Sequence, residues 1–326
     1  MHPPDPKKES PDSVDAEIRA EGLKALPDRI SRYQKAKARA LDVAKYMEQV
    51  QHPQDRHLAQ LYADTAYSVS NCGEYLIFRH YHTVDKVRLH AASLCKKHLL
   101  CGLCAIRRGA KALGAYSDRF GVIREKNPLL RPYMVTLTVK DGPDLSERFK
   151  HLFKSQAELW HRRRRKRGSV LDGVAGAVWS YEFKRGKNSG LWHPHLHMIA
   201  LAEMMPDVAE LADTWHNITG DSYIVDVRVI EHHTHDAHIN GFLEVFKYAV
   251  KFSDQDPADT VHAWLTLKGR NLIGSAGCFR GVEIPESLLD EPLQNLPFVE
   301  YFFRYSNGSY RLPVGSRVPH EFRRAA

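Results

Sequence analysis

The run Trp192-His193-Pro194-His195-Leu196-His197-Met198-Ile199-Ala200-Leu201 constrains this chain more than any other segment. Read as a strand, its side chains alternate. His193, His195 and His197 then share one face with Ile199 and Leu201, and Leu196, Met198 and Ala200 take the other. Imidazoles two residues apart on one strand face can converge on a single divalent ion. The plainer alternative is a polar surface strand, which fits poorly with so apolar a run. Two histidines need further ligands, and Glu182 in Ser180-Tyr181-Glu182-Phe183-Lys184 lies on the preceding predicted strand. If residues 176–184 and 193–201 pair as a hairpin, Glu182 can sit beside the histidines. Taken alone it reads as a solvated edge carboxylate. A mixed imidazole and carboxylate set leaves Mg²⁺ and Mn²⁺ open as well as Zn²⁺.

The flanking sequence supplies the rest of a sheet. Residues 133–139 alternate, with Tyr133, Val135, Leu137 and Val139 on one face and Met134, Thr136 and Thr138 on the other. Residues 174–184 and 223–230 are predicted as further strands. Helices are predicted over 145–160, 206–217 and 239–252. The expectation is an α+β fold around a mainly antiparallel sheet. Upstream, residues 1–25 read as a disordered tail and 26–70 as a helical region, with helical spacing over 28–68. Residues 71–110 form a cysteine-rich segment with short β-like runs at Tyr75–Tyr81 and Lys86–His90. The sheet domain is placed at 130–255, and 256–326 is read as a C-terminal extension.

A second polar constellation falls on the helix predicted over 239–252. Glu244, Tyr248 and Lys251 recur at i, i+4 and i+7 and line one face, opposite an apolar stripe of Phe242, Val245 and Phe246. A phenol titrates near 10, so as a nucleophile it needs a nearby cation, metal or base. Lys247 and Lys251 supply cations, and Glu244 a carboxylate one turn away. Spacing alone favours an ordinary surface helix. The reading gains weight only beside the histidine strand.

Cys101-x2-Cys104 is a common half of a zinc knuckle, and with Cys72 and Cys95 it could make a four-thiolate structural site. The alternative is reduced thiols packed as small apolar groups. His161-Arg162-Arg163-Arg164-Arg165-Lys166-Arg167 ends the predicted 145–160 helix. Cations suit a helix C-terminus, and a polyanion would relieve their mutual repulsion. The cluster Glu231-His232-His233-Thr234-His235-Asp236-Ala237-His238 has the composition of a solvated loop. The net charge of +8 over 326 residues suits an anionic partner such as nucleic acid or a membrane surface. No stretch approaches the roughly 20 apolar residues of a membrane span. The N-terminus lacks an apolar signal core. A soluble, cytoplasmic protein with no membrane partner is the expectation.

Taken together these residues resemble the rolling-circle plasmid replication initiators with one catalytic tyrosine, within the HUH endonuclease superfamily. Thr136-Leu137-Thr138 is similar to that family's first motif, and His193-Pro194-His195-Leu196-His197 to its second. Glu244…Lys247-Tyr248…Lys251 is similar to its third. Cys72-Gly73 through Arg107-Arg108 resembles the family's cysteine-rich segment, with Gly102 where a proline is common. Leu267-Lys268-Gly269-Arg270 and Gly277-Cys278-Phe279-Arg280 also look familial. The resemblance spans roughly residues 70–285. It implies a central antiparallel sheet flanked by helices, with the histidines on a middle strand. It further implies Mg²⁺ or Mn²⁺ on His195 and His197, aided by Glu182 or His193. Tyr248 is then the nucleophile that takes the 5′ end of a nicked strand, and Glu244 the base for terminating hydrolysis. Arg162 to Arg167, Lys268 and Arg270 would contact DNA. The partners implied are a single-stranded or extruded origin and the host helicase and polymerase. The rival readings are a transposase or relaxase on the same scaffold, a metallohydrolase that uses His-x-His as a zinc pair, and a DNA-binding protein without catalysis.

Overall fold

The computed structural model describes residues 21–52, 54–165, 169–230, 242, 245–246 and 255–312. In chain order its principal elements are α1 (Leu26–Gln49), α2 (Arg56–Ser70), β1 (Tyr75–Tyr81), β2 (Lys86–Ala92) and α3 (Gly102–Lys126). There follow β3 (Arg131–Thr138), α4 (Leu145–Arg165), β4 (Val174–Arg185), β5 (Trp192–Ala202), α5 (Val208–Thr219) and β6 (Val225–Val229). After them come α6 (Pro257–Leu267), β7 (Ile273–Gly277), β8 (Val299–Ser306) and β9 (Ser309–Arg311). The chain divides into two compact units, residues 1–110 with 286–326, and residues 111–285. No helix among the described residues is long and apolar enough to cross a membrane.

The first unit carries a four-stranded antiparallel sheet in the order β2-β1-β8-β9. Strands β1 and β2 begin where their sequence predicts. The single helical stretch expected over 28–68 is two helices. It breaks at Asp55, whose extended backbone and carboxylate cap a new start by accepting the Leu58 N–H at 2.9 Å. Residues 21–25, which composition assigns to the tail, lie against the sheet. The Val87 N–H donates to the Glu21 carbonyl at 2.5 Å, and the Leu23 N–H to Asp85 Oδ1 at 3.1 Å. Asp290 ties distant segments together. It accepts from Arg29 at 3.0 Å and Arg107 at 2.5 Å, and from the Leu89 N–H at 2.6 Å.

The second unit is built on a five-stranded antiparallel sheet in the order β6-β3-β5-β4-β7, so the histidine strand β5 sits in the middle. The four predicted strands are all present, and β7 adds a fifth. Helix α4 runs to Arg165, five residues beyond the predicted end at 160. Its apolar stripe buries Phe149, Leu152, Leu159 and Trp160. It packs over one sheet face. Phe149 and Phe153 meet Tyr181 at ring separations of 5.4 and 5.6 Å, and Trp160 stacks on Trp179 at 5.8 Å. Burying a side chain such as Phe149 contributes roughly 1.5–3 kcal/mol. Helix α5 places Trp215 in the same interior, where its indole N–H donates to the Thr138 carbonyl at 2.7 Å. Because strand residues alternate, a helix seated on Trp179 and Tyr181 leaves Ser180 and Glu182 on the opposite face. Gly277 closes the β7 edge with φ +61°. A Cβ there would lie 2.1 Å from the Ala175 carbonyl oxygen, so only glycine fits.

Candidate metal centres

Sheet register assembles the first site. In the antiparallel β4–β5 pair Glu182 lies opposite His195 and Ser180 opposite His197. On the other side of β5, Thr136 lies opposite His197 and Thr138 opposite His195. Directly opposed residues share a sheet face, so two imidazoles, one carboxylate and the three hydroxyl residues Ser180, Thr136 and Thr138 fall on one face. Glu182 is 2% exposed and His195 7%. Glu182 Oε2 lies 3.2 Å from His195 Nε2 and 3.6 Å from His197 Nε2.

The remaining ring nitrogens are anchored. His195 Nδ1 lies 3.3 Å from the His193 carbonyl, and His197 Nδ1 lies 3.0 Å from Thr136 Oγ1. His195 Nδ1 thus faces a carbonyl and its Nε2 a carboxylate, both acceptors, and a neutral ring donates to only one of them; an ion on the Nε2 lone pair would leave the Nδ1 proton for the carbonyl. Burial pushes the His195 pKa below its usual value, which keeps that ring neutral. A carboxylate with two imidazoles, each held through its second nitrogen, is a metal-ligand arrangement. Two donors each about 2.1 Å from an ion lie about 3.0 Å apart at right angles and about 3.4 Å at the tetrahedral angle. The 3.2 Å separation falls within that range and the 3.6 Å one lies just beyond it, so a small closure of His197 brings Glu182, His195 and His197 to the spacing of a divalent-ion site.

His193, expected on the same face as an alternative ligand, is not in this group. Its Nδ1 pairs with Asp141 Oδ1 at 2.6 Å, and Asp141 Oδ2 accepts from Ser189 Oγ at 2.5 Å. Burial raises the Asp141 pKa, but the Ser189 and His193 hydrogen bonds outweigh it and the carboxyl titrates below its usual range. Asp141 therefore diverts a histidine whose strand alternation pointed inward. Thr136 was legible only as part of a motif. Its bond to His197 follows from strand register, which the sequence does not print.

Glu244, Lys247, Tyr248 and Lys251 lie outside the described residues, as do Lys166, Arg167 and the cluster 231–238. The apolar stripe of that helix is described: Phe242, Val245 and Phe246 are helical and buried, and Phe246 stacks on Tyr116 at 5.3 Å.

The second centre lies in the first unit. The sulfurs of Cys72 and Cys101 are 3.4 Å apart, those of Cys72 and Cys104 3.6 Å, and those of Cys95 and Cys104 3.7 Å. Thiolates about 2.3 Å from a tetrahedral ion lie about 3.8 Å apart, so the four sulfurs fit a zinc site. None is in a disulfide. The cluster joins the segment after α2 to the start of α3. Lys37 Nζ donates to the Cys72 carbonyl at 2.7 Å and also to the Ser70 carbonyl, holding the first ligand's backbone. Hydrogen bonds from Cys101, Cys104 and Cys72 hold the Cys95 thiol well below its usual pKa, and those within the cluster push Cys101 up. Sulfurs this close compete for protons, and a bound metal would relieve that by taking them as thiolates.

The cationic run is divided. Arg163 donates to the Leu171 carbonyl at 3.0 Å and the Val174 carbonyl at 2.6 Å, so it holds the turn into β4. Arg162 pairs with Glu158 at 3.2 Å. Arg164 and Arg165 are exposed. Lys268 and Arg270 are exposed and lie over the rings of Trp264 and Phe149, at 5.3 and 5.9 Å.

A family described as "Replication protein" matches residues 86–300, about two thirds of the chain. The matched span contains Glu182, His195, His197, Cys95, Cys101 and Cys104, and leaves Cys72 outside. The chain is similar to a rep protein of a Bacillus species, 26% identical over 261 residues, covering 69% of this chain and 81% of the relative. It is similar to a rep protein of Bacillus amyloliquefaciens, 26% identical, covering 69% and 74% of the two chains. A rep protein of Staphylococcus aureus is 24% identical, covering 65% and 95%. No solved structure matches.

Proposed function

The chain belongs to the replication-protein family, and we propose that it starts rolling-circle replication by nicking one DNA strand at its origin and later rejoining it. We assign it the HUH-endonuclease fold, on the strength of an antiparallel sheet with the histidines on its middle strand. The observation that carries the reading is the pair of imidazoles anchored through Nδ1, with both Nε2 atoms facing Glu182 Oε2.

A divalent ion, Mg²⁺ or Mn²⁺, held by His195, His197 and Glu182 would polarise the scissile phosphate. The nucleophile is the Tyr248 phenol. Its oxygen bonds to phosphorus as the bond from phosphorus to the 3′ oxygen breaks. The phenol gives up its proton and the departing 3′ oxygen gains one, leaving a 5′-phosphotyrosyl ester and a free 3′-OH. Lys247 and Lys251, near Tyr248 in sequence, favour the ionised phenol. The ester conserves the energy of the broken bond, so a later 3′-OH can attack it and reseal the strand. Glu244 accepts a proton from water when the cycle ends by hydrolysis instead. The nick site must be single-stranded or extruded to reach these groups. The 3′-OH primes the host polymerase behind a host helicase, in the cytoplasm. The four cysteines hold a structural zinc that orders the start of α3.

The test uses the full chain, Mn²⁺ or Mg²⁺, and a labelled single strand from its own replicon's origin, resolved on a denaturing gel. A metal-dependent protein–DNA adduct that disappears in Tyr248→Phe is the expected result. An adduct that persists in that variant overturns the nucleophile. Tight binding without any adduct favours a DNA-binding protein without catalysis.

A further inference from the structure

The sheet face opposite Glu182 and the histidines carries a second polar feature. A groove of about 450 Å³ lies between α4 and β7, with Gln156, Trp160, Trp179, Arg163, Arg164 and Arg280 among its lining. That volume is within the roughly 300–1,000 Å³ of small-ligand sites. None of the described residues that line it is acidic. Arg164 and Arg280 are exposed, and the Arg163 guanidinium lies 5.6 Å over the Trp160 ring.

The aromatic wall is built rather than incidental. Trp179 lies opposite Gly274 of the edge strand β7, and a Cβ on Gly274 would come within 2.6 Å of three indole atoms. Glycine there lets the indole lie against the strand, stacked on Trp160 with 27° between the rings. Trp179 stays only partly buried although its stacking partner Trp160 is buried.

Two buried donors at the groove lack acceptors among the described residues, Trp160 Nε1 and Gln156 Nε2. The Tyr181 hydroxyl donates to Gln156 Oε1 at 3.0 Å, which occupies the oxygen end of the amide and leaves its nitrogen without a partner among the described residues. Gln156 is 4% exposed and Trp160 7%. Buried donors without acceptors are rare in folded proteins unless something supplies the acceptor. Nucleobases present carbonyl and ring-nitrogen acceptors on their edges, a π face above, and phosphates on either side. Aromatic rings with flanking cations are the usual platform for such bases.

We propose that this groove holds an unpaired nucleotide of the DNA strand outside the nick site. The base stacks on Trp179 with its acceptor edge toward Trp160 Nε1 and Gln156 Nε2, and the adjoining phosphates lie on Arg164 and Arg280. The inference rests on the DNA-nicking reading only in taking DNA as the ligand. It gives the protein a second contact on the far side of the sheet from the metal ligands.

The test measures fluorescence anisotropy of a labelled oligothymidine and of an abasic strand of equal length, with the full-length protein. The Arg164→Glu, Arg280→Glu double variant should weaken both probes. It should also flatten the dependence of log affinity on log salt by about 1.4, two contacts at about 0.7 each. Trp179→Ala should weaken oligothymidine roughly 5- to 150-fold and leave the abasic strand unchanged. If Trp179→Ala loses its fold by circular dichroism, the exposed charge pair decides alone. Oligothymidine binding within about twofold of wild type in every folded variant overturns the groove, while a Tyr248 adduct in the wild type leaves the nicking reading standing. A wild-type protein that binds neither probe and forms no adduct overturns both.

Discussion

Replacing Thr136 by valine isolates one hydroxyl of the histidine site. Valine keeps the β-branched shape that suits strand β3, and it removes only the oxygen that lies 3.0 Å from His197 Nδ1. Without that anchor the imidazole is free to rotate, and its Nε2 no longer waits opposite Glu182 Oε2. Loss of an outer partner of a metal-binding histidine lowers metal affinity by roughly 10- to 100-fold, or about 1.4–2.7 kcal/mol. Thr138 provides the control. It is two residues along the same strand face and opposite His195, but its hydroxyl meets Ser222 Oγ at 3.2 Å and the Ile224 carbonyl at 3.4 Å. Mn²⁺ titration of protein carrying a single equivalent of zinc and freed of excess, followed by the electron paramagnetic resonance of free Mn²⁺, measures the affinity directly. Thiolates prefer softer ions, so one equivalent of zinc occupies the four-sulfur set and leaves Mn²⁺ the imidazole and carboxylate set. Thr136→Val should bind Mn²⁺ about tenfold more weakly or worse, and Thr138→Val should not. Equal affinities in Thr136→Val and wild type, or equal losses in the two variants, would refute the anchoring argument.

Two further outcomes are expected. Arg107 and Arg29 outweigh the burial of Asp290 and hold its carboxyl well below the usual carboxylate range. That stability is present above the unfolded value of about 3.9 and is lost as pH falls through the folded one. Asp290→Asn should therefore cost about 3 kcal/mol in urea melts at neutral pH and flatten the acid limb of the stability profile. A variant as stable as wild type would show that the buried arginines do not need it. Cys104→Ser should lose the bound zinc found by elemental analysis, about one equivalent per wild-type chain, and lower the melting temperature. Retained zinc would exclude the four-sulfur site.

Periodicity carried much of the fold. The alternation of β3 and β5 and the 3.6-residue stripe of α4 follow from which side chains must leave water, and they appear where residue spacing puts them. Helix α3 and strands β7, β8 and β9 had no such signal. Strand β7 reads Ile273-Gly274-Ser275-Ala276-Gly277, with glycines in place of large side chains, and the packing of Trp179 and the closure against β4 explain them. Strand β8 joins the sheet of β1 across more than 200 residues of chain, a pairing that local pattern cannot encode.

The residue types of the candidate sites were legible because their chemistry is unusual: three histidines on an apolar strand and a Cys-x2-Cys among few cysteines. Their company was not. Strand register brought Glu182 and Thr136 to His195 and His197, because opposed residues in an antiparallel pair share a face whatever their separation in sequence. Alternation put His193 on that face too, yet its Nδ1 meets the carboxylate of Asp141, since a hydrogen bond to a neighbouring loop competes locally with any strand rule. Sequence alone thus determined which chemical groups the chain can offer. Tertiary structure decided which of them meet, because register and long-range packing are set by the burial of whole faces rather than by the residues that do the chemistry.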